Sequence, residues 1–184
     1  SQLLEHYRKQ LRRMIAIRLN KRLAARVDAS DSVQEALNDA CARLPQYLEQ
    51  PKLPFYPWLR RIAWDHLVKI HRNHMDVEKR SVLREHAWTP NLNDESVADL
   101  ACRIATNTIS PSRQAMNAEM QDRIKAALLQ LKPHDREILV LRYLEQLSVN
   151  EIADVVGISQ TAVTSRHLRA VQRLRRLMGD PFRQ

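Results

Sequence analysis

The sequence predicts an all-α protein of two small helical domains joined by a connector, and three observations carry that prediction. Only two glycines occur in 184 residues, so tight hairpin turns are scarce. Apolar residues recur at helical spacing, and no stretch alternates with the period of a strand. The charge falls into blocks: seven bases face three acids from Arg60 to Arg84, and five arginines stand without an acid from Gln160 to Arg176. Between these islands, Glu85 to Arg123 holds six acids and three arginines, as a connector between two anion-contacting modules would.

Composition narrows the function classes. With 44% hydrophobic and 28% charged residues the chain reads as soluble and globular, and no apolar run approaches the roughly 18 residues that cross a bilayer. Charges interrupt the N-terminal stretch "SQLLEHYRKQLRRM", which is unlike a signal peptide; the expectation is a cytoplasmic protein without membrane insertion. A formal charge of +9 and a pI near 10.1 favour a polyanionic partner. Cys41 and Cys102 stand far apart and outside any CxxC, which argues against a disulfide scaffold and predicts buried, inert thiols. His71 and His74 are i, i+3 on a basic helix with no third ligand, so no metal is expected. No P-loop, nucleophile elbow or HExxH occurs, and the chain is expected to have neither cofactor nor catalytic residue.

The first helix is expected from about Leu3 to Arg26, with Leu4, Tyr7, Leu11, Met14, Ile15 and Leu19 on one face. "DASD" supplies capping oxygens for a second helix, which carries Val33, Leu37, Ala40, Cys41 and Leu44 inward and stops at Pro45. "EQPKLPFYP" reads as a loop, with Pro57 suited to the first turn of the next helix. That helix, "WLRRIAWDHLVKIHR", turns Leu59, Ile62, Ala63, Leu67 and Ile70 inward and Arg60, Arg61, Lys69 and Arg72 outward. A further helical stretch spans Asp76 to about His86, and residues 87–113 read as the linker, with room for a short helix near Val97–Ile104. The domains are therefore 1–86 and 114–184; the second opens with an amphipathic helix stopped by Pro133.

"SVNEIADVVGISQTAVTSRHLRA", residues 148–170, holds Gly157 between two helical patterns. Ser148 and Glu151 have the form of a capping box, Gly157 suits a left-handed C-terminal cap, and Ser159 caps the next helix. Helix, glycine turn and arginine-rich helix make a helix-turn-helix unit. Small polar residues at the start of its second helix allow close approach to base edges, while arginines reach bases or phosphates.

The stretch "LKPHDREILVLRYLEQLSVNEIADVVGISQTAVTSRHLRAVQRLRRL" resembles region 4 of bacterial RNA polymerase sigma factors of the sigma-70 family, and "DASDSVQEAL" followed by "PFYPWLRRIAWDHLVKIHR" resembles region 2. Both in one short chain resemble the extracytoplasmic-function (ECF, group IV) class. The resemblance implies a transcription initiation factor that binds core polymerase and directs it to promoters. It implies that Asp31, Gln34 and Glu35 dock on the β′ clamp helices, and that the β flap, promoter DNA and an anti-sigma factor are further partners. It places Trp58, Arg61, Asp65, Lys69 and Arg72 on the −10 element, where stacking and a cationic groove hold a single strand. Trp58 and Trp64 also suit core anchors. Gln160, Thr161, Thr164, Ser165, Leu168 and Arg169 fall on the −35 element, with Arg166 and Arg173 suited to phosphates. The chain departs from the family at His167, which lies four residues after Val163 and is expected inward, leaving Leu168 outward. The alternative is a stand-alone helix-turn-helix regulator whose first 86 residues sense or dimerise.

Overall fold

A computed structural model describes residues 2–19, 28–75, 92–108 and 118–178. Among them there are eight α-helices and no strand, so the chain is all-α. They divide into two compact units, Ser1–Asn93 and Asp94–Gln184.

In the first unit α1 (Gln2–Ala16), α2 (Ala29–Glu49) and α3 (Phe55–Met75) pack on one another. Their seam is Leu11, Met14 and Ile15 of α1, Val33, Ala36, Leu37 and Ala40 of α2, and Leu59, Ile62, Ala63 and Leu67 of α3, all buried. The inward spacings of three, four and seven residues are those of one helical face.

α1 ends at Ala16, short of the sequence expectation of Arg26, and residues 20–26 of that expected helix lie outside the described residues. The apolar period does continue to Leu19, which is 3% exposed, but tertiary donors take over the carbonyls that a longer helix would have used. The Asn93 side-chain amide donates to Ala16 O (3.2 Å) and Leu19 O (2.8 Å), and its backbone N–H to Ile17 O (3.4 Å). His71 Nε2 donates to Arg18 O at 3.2 Å, and the fully buried Arg18 turns its guanidinium back to Met14 O. Helix-end carbonyls need such partners. Asn93→Ala removes two side-chain donors from this end and is expected to lower the stability of the first unit by about 1–3 kcal/mol, read as a urea-midpoint shift; an unchanged midpoint contradicts the assignment.

α2 is capped by Asp28, whose carboxylate accepts from Ser30 N at 2.7 Å. It runs through Pro45 to Glu49 rather than stopping there. Proline deletes one ladder donor, and the turn beyond it is tied down by Tyr47, whose hydroxyl donates to Leu53 O (2.9 Å) while its ring stacks on Trp58 at 4.4 Å. α3 begins at Phe55, with Pro57 in its first turn as expected. The helical stretch expected over Asp76–His86 lies outside the described residues.

The second unit begins inside the expected linker. α4 (Asp94–Thr108) is nearly twice the short helix anticipated there, and it packs on α5 (Ala118–Gln130) and on the π-turn Val140–Leu144. Val97, Leu100, Ala101 and Ile104 are all buried, so burial overrides the polar composition around them. α6 (Pro133–Leu139) runs into the π-turn, and α7 (Val149–Val156) and α8 (Gln160–Leu177) follow. α8 packs against α5, α6 and α7 through Val163, Ala170, Val171 and Leu174.

Both thiols, expected buried, are exposed. Cys41 follows Ala40 at the edge of the α2 stripe, and Cys102 sits one residue past Ala101, turned 100° from the buried face. Arg60 is also a correction, since it is 7% exposed rather than outward, with its guanidinium 5.4 Å from the Trp64 ring centre.

Candidate nucleic-acid interface

Local chemistry aims α8. Ser148 Oγ accepts from Glu151 N while Glu151 Oε2 accepts from Ser148 N and Oγ, a complete capping box at the start of α7. Gly157 closes α7 at φ 72°, ψ 37°, and Ser159 Oγ caps α8 by accepting from Ala162 N. A Cβ at Gly157 would meet nothing within 4 Å, so the requirement there is the left-handed backbone alone. Gly157→Ala is expected to cost about 1–2 kcal/mol, measured by thermal or urea unfolding of the chain; no loss contradicts the left-handed cap.

Gln160, Thr161, Thr164, Ser165, Leu168, Arg169 and Arg173 are exposed, and Arg166 is half-buried. Two of these side chains lie along the helix: Thr164 Oγ1 donates to Gln160 O (3.0 Å) and Arg169 Nε to Ser165 O (3.3 Å). Leu168 is 56% exposed, an apolar side chain in an otherwise polar outward row. His167 turns inward, with Nε2 3.1 Å from the Tyr143 hydroxyl. Burial, and then the charge of Arg142, push its pKa below the ordinary histidine value.

The arginines form a flank. Arg166, Arg169, Arg173 and Arg176, at helical spacings of three, four and three, line a cleft of about 320 Å³ with Lys132, His134 and Asp135. No carboxylate pairs with Arg166, Arg173 or Arg176 among the described residues. Such a concentration of cations is repulsive until an anion enters, which suits phosphates. The sequence reading assigned Arg166, Arg169 and Arg173 to the site; Lys132, His134 and Arg176 were missed, Lys132 and His134 because they join the cleft from the N-cap and first turn of α6 through tertiary packing.

In the first unit, Trp58, Arg61, Asp65, Lys69 and Arg72 share one stripe of α3, spaced by three, four, four and three residues. The four charged residues are exposed and Trp58 is half-buried. One face of Trp58 is already taken by Tyr47, and Phe55 lies 5.5 Å away in a tilted arrangement. Trp64 is half-buried, with Arg18 5.1 Å and Arg60 5.4 Å from its ring centre. On α2, Asp31, Gln34 and Glu35 are exposed. Gln34 accepts from Arg8 Nη2 (2.7 Å) and donates to Asn38 (3.0 Å), and His66 lies 3.3 Å from Asp39 and 3.9 Å from Glu35. These bonds orient an exposed polar face without covering it. Among the described residues no cluster of three or more His, Cys, Asp or Glu side chains is placed to hold a metal ion, and no helix is long and apolar enough to cross a membrane.

Residues 121–174, from α5 through most of α8, match the family described as Sigma-70, region 4. Over that segment the chain is a sigma-70 region 4. Its relatives include a probable RNA polymerase sigma factor, RfaY, of Xanthomonas campestris, 37% identical over 158 residues that cover 85% of this chain and 34% of the relative. The ECF RNA polymerase sigma factor SigW of Bacillus subtilis is 27% identical over 83% of this chain and 76% of its own length. BldN, an ECF RNA polymerase sigma factor of Streptomyces coelicolor, is 28% identical over 88% of this chain and 55% of its own. The chain spans about a third of the length of RfaY and over half that of BldN. These matches extend well beyond the region 4 segment, so the sigma likeness includes residues of the first unit.

Proposed function

We propose that the chain is a cytoplasmic transcription initiation factor of the ECF class, which binds core RNA polymerase and directs it to promoters by two DNA contacts. The outward row of α8 beside its arginine-lined cleft carries this reading. An α-helix fits the major groove, where Thr164, Ser165, Leu168 and Arg169 meet base edges of the −35 element and Gln160 and Thr161 approach from the helix start. Arg166 and Arg173 then neutralise flanking phosphates. Residues 114–184 do this work and the remainder of the second unit supports them.

In the first unit, Arg61, Lys69 and Arg72 attract the backbone of the −10 element and Asp65 orients exposed bases. Trp58 offers a base only the face that Tyr47 leaves open, so stacking there adds one base at most. Asp31, Gln34 and Glu35 dock on the β′ clamp helices, the second unit meets the β flap, and an anti-sigma factor controls access to these surfaces. Two weak contacts on one scaffold multiply through effective concentration, and the chain contributes binding and positioning rather than covalent chemistry.

The reading is tested by passing the full chain and bacterial core polymerase together over a sizing column. Stoichiometric co-migration is expected. Asp31→Ala with Gln34→Ala is expected to weaken it about tenfold or more, as for removal of two interface hydrogen bonds, while leaving duplex binding unchanged. Absence of co-migration by the folded wild-type chain contradicts the proposal and favours a stand-alone helix-turn-helix regulator.

A further inference from the structure

His167, turned inward on α8, makes a directed contact with another element. Its Nε2 sits 3.1 Å from the hydroxyl of Tyr143, with ring centres 5.7 Å apart and planes tilted by 37°. Tyr143 belongs to the π-turn Val140–Leu144, so this hydrogen bond ties the outward-facing helix to a different element of the second unit. π-turns bring side chains out of ordinary helical register, and here one puts Arg142 and Tyr143 beside α8. Along α8, His167 stands between Arg166, which lines the cleft, and Leu168, which is exposed. A rotation of α8 that broke the contact would move both. The buried apolar side chains of α8 are small or β-branched ones and one leucine (Val163, Ala170, Val171, Leu174), which resist rotation less specifically than a directional hydrogen bond.

We infer that the Tyr143–His167 hydrogen bond is a positioning contact that fixes the rotational setting of α8, and that it makes this setting sensitive to acid. The inference names the regulation of the helix to which the proposed function assigns −35 reading, and it stands or falls on the protein alone. A neutral imidazole and a phenol share one proton and one lone pair between Nε2 and the hydroxyl oxygen. Protonation adds a second cation next to Arg142, which donates to Leu147 O at 3.0 Å. No carboxylate of α5 (Asp122), α6 (Asp135, Glu137) or α7 (Glu151, Asp154) pairs with the ring among the described residues: Asp122 holds Lys125, Asp135 lies by His134, and Glu151 is in the capping box. Burial and Arg142 accordingly lower the His167 pKa. The folded state therefore takes up its proton at lower pH than the unfolded state. The stabilisation from the neutral ring is complete above the ordinary histidine pKa near 6.5 and is lost as pH falls below it.

The test measures hydrogen-exchange protection of the α8 backbone amides in the full chain, without DNA, at pH about 7.5 and about 5.5, on either side of the histidine range. At the higher pH, Tyr143→Phe and His167→Leu are expected to lower protection about three- to tenfold, the size of one net hydrogen bond, while His167→Gln, which keeps an acceptor and a donor, stays within about twofold. At the lower pH the wild-type chain is expected to fall by a similar factor and His167→Gln to hold. Should His167→Leu fail to fold, Tyr143→Phe and the wild-type pH profile decide. Equal protection in wild type, Tyr143→Phe and His167→Gln at both pH values overturns the inference. The same four proteins are then tested for preference between a duplex selected by the wild-type chain from a random pool and its shuffled form. Loss of preference alongside loss of protection supports the inference; loss of protection in a chain that prefers no duplex supports it too, and overturns the −35 reading instead.

Discussion

Replacing Arg166, Arg173 and Arg176 together by alanine is expected to flatten the salt dependence of duplex binding. Each phosphate contact releases condensed counterions and contributes about 0.9 to the slope of log affinity against log salt, so three lost contacts remove close to three units. The three guanidinium groups converge in one cleft without a carboxylate partner among the described residues, and their work in the free protein is mutual repulsion. The triple variant should consequently fold as well as the wild type or better. Titration of a fluorescent duplex at several salt concentrations reads the slope. An unchanged slope in a folded triple variant contradicts the assignment of this flank to phosphate.

The second large effect concerns the core of the second unit. Leu128 is fully buried on α5 and its neighbour Leu129 is 63% exposed. Leu128→Ala is expected to cost about 2–5 kcal/mol, from lost transfer energy and the cavity left behind, whereas Leu129→Ala should lie within about 0.5 kcal/mol of wild type. Since domains of this size have about 5–15 kcal/mol in hand, the first substitution removes a large share of it. Urea unfolding of the pair of variants checks the register of α5; equal costs, or the reverse order, show the helix turned from the face described.

What the sequence discloses is what is local. The capping box of Ser148 and Glu151, the left-handed Gly157 and the Ser159 cap lie within a dozen residues, and each is set by backbone geometry that only a few residue types satisfy. The inward turn of His167 and the outward turn of Leu168 follow from position relative to Val163 in the same way. What the sequence hides depends on distant partners. α1 stops at Ala16 because Asn93, 77 residues away, supplies donors for its carbonyls, and no periodicity in residues 1–26 records that. α4 forms inside an acidic, turn-rich stretch because four apolar residues find a partner surface on α5 and the π-turn.

The same distinction governs the site residues. Arg60 counts as an outward base on a helical wheel, yet it is buried with its guanidinium 5.4 Å from the Trp64 ring centre, and the same ring lies 5.1 Å from Arg18 of the segment after α1. Trp58 is where an aromatic platform for a single strand would stand, but Tyr47, beyond a proline expected to end its helix, has taken one of its faces. The exposed row Arg61, Asp65, Lys69 and Arg72 needs no such tertiary knowledge, as it follows from helical spacing alone. Cys41 and Cys102 show the limit of that rule at the edge of an apolar stripe, where one residue decides between core and solvent.

The central claim is that this chain confers promoter choice on a polymerase. The measurement that tests it most directly is sequencing of transcript 5′ ends made by bacterial core RNA polymerase on fragmented genomic DNA, with and without a stoichiometric amount of the 184-residue chain. The account predicts new discrete 5′ ends preceded by two shared sequence elements at −10 and −35 spacing, lost when Arg169 and Leu168 are both replaced by alanine. A chain that co-migrates with core polymerase and yet yields no new 5′ ends would contradict it.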